Sequence, residues 1–313
     1  MKPLFTIAIP AYKKKYLDEA IESCIYQTYD NFEVVIVDDA SPEDLFSIVS
    51  QYSDSRIKFY RNKSNCGAVN VVDNWNICLS YAKGDYIICM GDDDKLMPNC
   101  LEEYVKLIQK YPNLDVYHAW TEIIDENSKF STLQQPRPEY ESALSIAWNR
   151  WNGRDKQYIG DFCYKVKQLR LDGGFYKMPL AWGSDDISAI RAAAHKGIAN
   201  TQVICFQYRV NNQTITNTGN NKIKIEAILQ EKEWFENFIS EQEKNTTMRE
   251  CEYKYLACLK KELHKHFLIK IYNEIKLDIK AKPSVFFYWL RKAPHMGISR
   301  KNICICIIKA IMK

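Results

Sequence analysis

Apolar residues recur along the first 120 positions in two alternating rhythms. Leu4 to Ile9 is a short continuous apolar run closed by Pro10, the pattern of a buried strand. From Tyr16 to Tyr26 the apolar positions Leu17, Ala20, Ile21, Cys24 and Ile25 fall on one helical face. Phe32 to Val37 is again continuous and β-branched, as expected of a strand covered on both faces. The alternation continues with a helix over Leu45 to Tyr52, a strand over Ile57 to Tyr60 and a helix over Val69 to Ala82, broken by Gly84. A strand over Tyr86 to Met90, a helix over Leu101 to Lys110 and a strand over Val116 to Trp120 follow. Such alternation predicts right-handed crossovers and a mostly parallel, Rossmann-like sheet flanked by helices. Ligands of such sheets bind beyond the carboxyl ends of the strands.

Past residue 127 the rhythm breaks. Residues 127–160 read as irregular, with Pro136, Pro138 and two Trp, Trp148 and Trp151. Tyr164 to Leu169 and Ile187 to Lys196 bracket a Gly- and acid-rich loop, and Val203 to Val210 reads as a strand. Helical periodicity dominates from Ile223 to Ile279. The expected organisation is one α/β domain over residues 1–215 and a helical C-terminal extension over 216–313, without internal repeats.

At 313 residues, 46% of them hydrophobic, the chain can bury a large core. Its formal charge of +4 conceals an asymmetry. Between Glu241 and Lys313 there are 16 Lys and Arg against 7 Asp and Glu, a net of +9 that leaves −5 on the first 240 residues. An acidic front suits a metal or polyhydroxyl site. The basic tail suits an anionic lipid surface, another polyanion, an oligomer contact, or simple solvation of a helical surface. The 11 Cys contain no CxxC, and Cys24, Cys78 and Cys89 lie in apolar stretches, as expected of buried thiols in a reducing compartment. The opening MKPLFTIAIPAY reads as a strand meeting a proline rather than as a signal peptide. No apolar run is long enough to span a bilayer. The expected location is the cytoplasm, with the tail available for peripheral contact at the membrane face.

Two acidic clusters sit at predicted strand ends. Gly91-Asp92-Asp93-Asp94 follows the strand that ends at Met90. Three consecutive carboxylates repel one another unless a cation is near, and an oxygen-only set suits Mg²⁺ or Mn²⁺. The plainer reading is an acidic turn before the helix near Leu101. Asp38-Asp39 ends the second strand, where carboxylates can accept from a base N–H or a ribose hydroxyl, or form an Asx-turn before Ser41-Pro42. A third pair, Ser184-Asp185-Asp186, precedes a predicted helix, where acids also serve as ordinary caps.

The run IPAYKKKYLDEAIESCIYQTYDNFEVVIVDDASPED resembles the N-terminal half of glycosyltransferase family 2, inverting enzymes of GT-A fold. Pro10-Ala11-Tyr12, Gln27-Thr28-Tyr29, Asn31-Phe32-Glu33 and Asp38-Asp39 match its blocks. Further on, Asn65, Gly67, Ala82, Gly84, Asp85, Tyr86, Asp93, Asp94 and Pro98 match as well. The likeness is dense over residues 4–120 and thin over 160–215. It implies that Pro10, Ala11 and Tyr12 line a nucleobase pocket, with Asp39 binding the base, Asp38 supporting it, and Asn65 and Gly67 beside it. It implies Asp93 as leading metal ligand, with Asp92 and Asp94 contacting metal, ribose or water. It further implies Asp185 as general base with Asp186 second, and Arg191 six positions after Asp185. Lys13, Trp75, Gly91 and Asn211 depart from the family pattern, Asn211 standing where a His is usual.

The reading is thus a metal-dependent glycosyltransferase using Mn²⁺ or Mg²⁺, a nucleotide-sugar donor (a UDP-sugar) and a glycan or lipid-linked acceptor, in polysaccharide assembly. No nucleic-acid partner is expected. Two rivals are a non-catalytic binding or scaffold protein of the same fold and a nucleotidyltransferase. The latter needs a Gly-rich basic loop after the first strand, where AYKKKY has no Gly.

Overall fold

The structure, a computed structural model, describes residues 2–211, 220–296 and 298–304. It forms two compact units, Met1–Lys177 with Ser184–Thr214, and Met178–Gly183 with Ile215–Lys313. The boundary expected at 215 falls among residues 212–219, outside the described ones, as does the apolar end of the tail beyond 304.

In the first unit the chain runs β1 (Phe5–Ala11), α1 (Leu17–Ile25), β2 (Phe32–Asp38), α2 (Phe46–Val49), β3 (Ile57–Arg61), α3 (Val71–Tyr81) and β4 (Tyr86–Cys89). It continues through β5 (Lys95–Leu96), α4 (Cys100–Lys110), β6 (Val116–Ile124), β7 (Phe130–Leu133), β8 (Tyr140–Glu141) and α5 (Ala143–Trp151). β9 (Phe162–Lys165), α6 (Val166–Leu171), α7 (Ser184–Ala193) and β10 (Ile198–Arg209) complete it. The sheet order is β3-β2-β1-β4-β9-β6-β10-β5, with β7 added to β6 and β8 to β10. Strands β1 to β4 are parallel neighbours. β9 is antiparallel to both β4 and β6, so β6 and its parallel partner β10 still run with β1 to β4. The long strands therefore share one direction, and their carboxyl ends share one rim. Phe5, Ile7, Ile9, Ile36, Ile88, Tyr117 and Phe206 fill the core with Leu17, Ile21, Leu101 and Tyr104 of α1 and α4.

Pro10 does not end the first strand. β1 continues through it to Ala11, in register with Asp38. The Ala8 carbonyl accepts from Met90 and the Ala11 carbonyl from Asp39, so Pro10 turns its missing donor toward β4, whose ladder stops at Cys89. Gly84 is needed where the chain re-enters the sheet. A Cβ there would lie 2.6 Å from Thr6 N and 2.9 Å from the Leu4 carbonyl.

Residues 127–160 are not irregular. They hold β7, β8 and α5, whose first turn is capped by Ser142 Oγ accepting from Ser145 N at 3.2 Å. Ala143, Leu144, Ile146 and Ala147 are buried, which explains why this helix forms.

The second unit holds α8 (Asn221–Gln242), α9 (Glu250–Ala281) and α10 (Phe286–Lys292). Phe235 meets Phe267 with ring centres 5.9 Å apart, and the buried Glu231 pairs with Lys270 at 2.5 Å. Trp182 lies in this unit, with the Lys224 ammonium 4.9 Å from its ring centre. No helix among the described residues is long and apolar enough to cross a membrane.

Candidate active site

The rim at the ends of β1, β2 and β4 is assembled from backbone donors and acidic side chains. Asp38 is fully buried. Its carboxylate accepts from Ser41 N at 2.7 Å and pairs with Arg61 of β3. This bond fixes the turn after β2, and Asp39 is presented by that turn. Asp39 N donates to the Ala11 carbonyl at 2.9 Å. Asp39 Oδ1 accepts from Asn62 Nδ2 (2.8 Å) and Cys66 N (3.0 Å), while Asn65 Nδ2 donates to the Asp39 carbonyl (2.7 Å). Gly67, at φ +78°, turns the chain away. Ala11, Asp39, Asn65 and Gly67 therefore meet in one corner, with Tyr12 exposed beside them.

Asp92 reaches back across the rim. Its Oδ2 accepts from both Tyr12 N and Lys13 N at 2.6 Å, pinning the loop after β1. Burial, and next the charge of Asp93, push its carboxyl up to about 6. Asp94 is buried, and its Oδ1 accepts from Arg209 N at 3.0 Å. Burial and the Asp93 charge hold its carboxyl well above the usual range. Asp93 between them is half-buried, and its Oδ2 accepts from Asn211 Nδ2 at 2.7 Å. The three carboxylates of the triplet thus do not close into one cage. Among the described residues no group of three or more His, Cys, Asp or Glu is arranged to hold a metal ion. The physical reason is that Asp92 and Asp94 are turned toward backbone N–H groups.

Arg209 braces this corner from below. It is 1% exposed and donates to the Asp93 carbonyl (2.7 Å), Ser128 Oγ (2.8 Å) and Glu19 Oε2 (3.0 Å). Its guanidinium lies 4.1 Å from the Tyr16 ring centre. The preceding Tyr208 stacks on Tyr158 at 3.6 Å. Both phenols are pushed up, first by burial, and both feel the charges of Asp94 and Asp185. Asp93 also acts on Tyr208. The β4 acidic turn and the start of α7 therefore face one aromatic pair.

At the start of α7, Asp185 Oδ1 accepts from Asp186 N at 2.9 Å, and among the described residues its Oδ2 makes no hydrogen bond. Burial, then the neighbouring Asp186 charge, push Asp185 up to about 8. Asp186 is clamped instead. Arg150 Nε of α5 lies 2.8 and 3.0 Å from its two oxygens. With its amide turned to suit both neighbours, Gln157 donates to Asp186 Oδ1 at 2.7 Å and accepts from Arg137 at 3.3 Å. Arg191 does not join this pair. It donates to the Gly174 carbonyl and packs 5.6 Å from the Tyr176 ring centre, holding the turn before α7. Arg150, Gln157 and Tyr158 escaped the sequence reading because α5 was read as irregular. The signal for it was Ser142 followed by apolar Ala143, Leu144, Ile146 and Ala147.

The model of glycosyl transferase family 2 matches residues 6–169, just over half of the chain. The chain belongs to glycosyl transferase family 2. A relative from Rickettsia typhi, an uncharacterized glycosyltransferase, is 32% identical over 140 residues, 44% of this chain and 42% of that one. Another, from Haemophilus influenzae, is 35% identical over 127 residues, 40% of this chain and 38% of that one. The match spans less than half the length of these relatives. Among solved structures, S. aureus TarS 1–349 in complex with UDP-GlcNAc superposes with a TM-score of 0.69 at 17% identity, covering 95% of this chain and 80% of that one. Mannosyltransferase PcManGT from Pyrobaculum calidifontis, in complex with GDP-Man and Mn²⁺, has a TM-score of 0.53 at 15% identity, covering 99% and 88%. At these identities the likeness is one of fold, and the family 2 fold here is GT-A, a mixed sheet flanked by helices.

Proposed function

We propose that this chain is an inverting glycosyltransferase that moves a sugar from a nucleotide-diphosphate sugar, a UDP-sugar, to a hydroxyl of a glycan or lipid-linked acceptor. One observation carries the reading: the stacked Tyr158–Tyr208 pair, its ring centres 3.6 Å apart, feels the carboxylates of two separate segments, Asp94 of the turn after β4 and Asp185 at the start of α7, with Asp93 acting on Tyr208 as well. Family membership and the fold shared with a UDP-GlcNAc-bound protein support it.

In this reading the corner of Ala11, Tyr12, Asp39, Asn65 and Gly67 holds the nucleoside, and Asp38 and Asp92 keep its loops in place. The half-buried Asp93 carboxylate, an oxygen donor that accepts from Asn211 Nδ2 at 2.7 Å, would help hold a Mn²⁺ or Mg²⁺ ion bound with the donor diphosphate rather than one caged by three carboxylates. Such an ion supplies charge neutralisation at the leaving diphosphate. Asp185 takes the proton of the acceptor hydroxyl as its oxygen bonds to the anomeric carbon. The bond from that carbon to the diphosphate breaks, and the electron pair leaves with the nucleoside diphosphate. A single displacement inverts the anomeric centre. The second unit, basic and with Phe287 and Tyr288 exposed on α10, is assigned to an anionic membrane surface that carries a lipid-linked acceptor on the cytoplasmic side.

The test is release of nucleoside diphosphate from a panel of nucleotide sugars with Mn²⁺ or Mg²⁺. Turnover should fall at least about 10²-fold in Asp93→Ala and on chelation. A chain that binds donors without turning any over would be a binding protein of the same fold, and the reading would be lost.

A further inference from the structure

We propose that Arg150, seconded by Gln157, is a positioning residue that clamps Asp186 and so leaves Asp185 as the one carboxylate of the pair to take the acceptor's proton. The inference rests on the glycosyl-transfer reading above. Two adjacent carboxylates at one helix start, in equivalent surroundings, share a proton, and neither is then a dedicated base. Here the surroundings differ. Both oxygens of Asp186 lie within 3.0 Å of Arg150 Nε, and Gln157 adds a bond at 2.7 Å. Among the described residues Asp185 spends only Oδ1, on the N–H of its neighbour. The Arg150 side chain is 35% exposed while that of Asp186 is 8% exposed, so the cation closes the pair from the solvent side.

The charged and titratable groups around Asp185 are Asp186 on its own helix, Arg150 on α5, Asp161 before β9, and the phenols of Tyr158, Tyr164 and Tyr208. Arg150 is the cation among those that act on Asp185, and it opposes the effect of burial there. Removing it frees Asp186 to compete for the proton and raises the proton affinity of the base.

The experiment compares wild type, Arg150→Gln and Arg150→Lys in the full chain. The ligand-free proteins are titrated by NMR with ¹³Cγ-labelled aspartate, Asp185 being assigned by its loss in Asp185→Asn. Nucleoside diphosphate release from UDP-sugars is followed from pH 6 to 10. In Arg150→Gln the Asp185 midpoint should rise by about one unit or more, and turnover at pH 7 should fall about tenfold yet approach wild type at high pH, with KM for the donor unchanged. Arg150→Lys should recover most of both. An unmoved midpoint, or a loss of turnover equal at every pH, overturns the proposal and leaves the glycosyl-transfer reading standing. Wild type that turns over no nucleotide sugar overturns that reading and the proposal with it.

Discussion

Replacing Arg209 by Met should destabilise the first unit by roughly 3 kcal/mol and weaken catalysis beyond that loss. The figure follows from what the guanidinium touches. Its ion pair with Glu19 contributes at most about 1 kcal/mol, because the Glu19 side chain is 38% exposed and screened. Ser128 Oγ retains a partner, since it also bonds Glu19 at 2.6 Å. The carbonyl of the half-buried Asp93 loses the 2.7 Å donation from the Arg209 guanidinium, which costs about 1–3 kcal/mol. The stacking on Tyr16 adds roughly 1 kcal/mol. For a domain of this size that total lowers the melting temperature by about 6–12 °C. Arg209→Lys keeps the charge but cannot span the same acceptors, so it should fall between. Differential scanning calorimetry measures the shift. Nucleoside diphosphate release, assayed well below the variant's midpoint, should drop about 10²-fold, because Asp93 is no longer held from below. A melting temperature within about 2 °C of wild type would refute the reasoning.

Asp185→Asn should lower turnover by about 10²–10⁴-fold without weakening donor binding, read by initial rates and by calorimetric titration. With Asp185 pushed up to about 8, wild-type turnover should climb as pH rises through that value, since the base must be ionised to accept a proton. The same shift has a stability consequence of fixed sign. The carboxyl contributes stability below its ordinary 3.8 that is lost as pH rises through about 8, so Asp185→Asn should melt no lower than wild type at pH 9. Gly174→Ala should lose about 1–3 kcal/mol in urea unfolding. Its φ of +90° disfavours a side chain, and the new Cβ would run into Asn76 Oδ1, which accepts from Phe175 N. Vesicles of anionic phospholipid should sediment the chain and neutral ones should not, with Phe287→Ser weakening the binding. Equal binding to both would remove the charge argument.

The sheet was legible where burial is two-sided. Phe32 to Val37 can only be an inner strand, and the acidic residues after it and after Tyr86 to Met90 had to land on one rim. What hid was whatever depended on a distant partner. β9 is four residues of no special pattern, and its antiparallel place between β4 and β6 is decided by those neighbours. α5 was masked by Pro136, Pro138 and the two Trp, Trp148 and Trp151, although its capping Ser142 and apolar face were present. Missing it concealed Arg150, and with it the difference between Asp185 and Asp186. Asn211, read as a loss of the usual His, instead places an amide on the Asp93 carboxylate.

The three acidic clusters at the ends of β2 and β4 and at the start of α7 resolve in the same way, and the reason is electrostatic. Adjacent carboxylates taken out of water cannot all keep their charge uncompensated. Asp38 is compensated by Arg61 and Ser41 N, Asp92 by two backbone N–H groups, Asp94 by Arg209 N, and Asp186 by Arg150. Each of these four fastens a loop or helix end to another segment. The neighbour it supports, Asp39, Asp93 or Asp185, is then offered to the rim by a backbone that cannot turn away. Sequence reads such runs as doubled function, yet adjacency itself demands the division. Exchanging the roles would require moving the compensating cation. The double variant Arg150→Gln with Asp186→Asn should therefore retain more turnover than Arg150→Gln alone, because removing the competing carboxylate restores a single base at position 185.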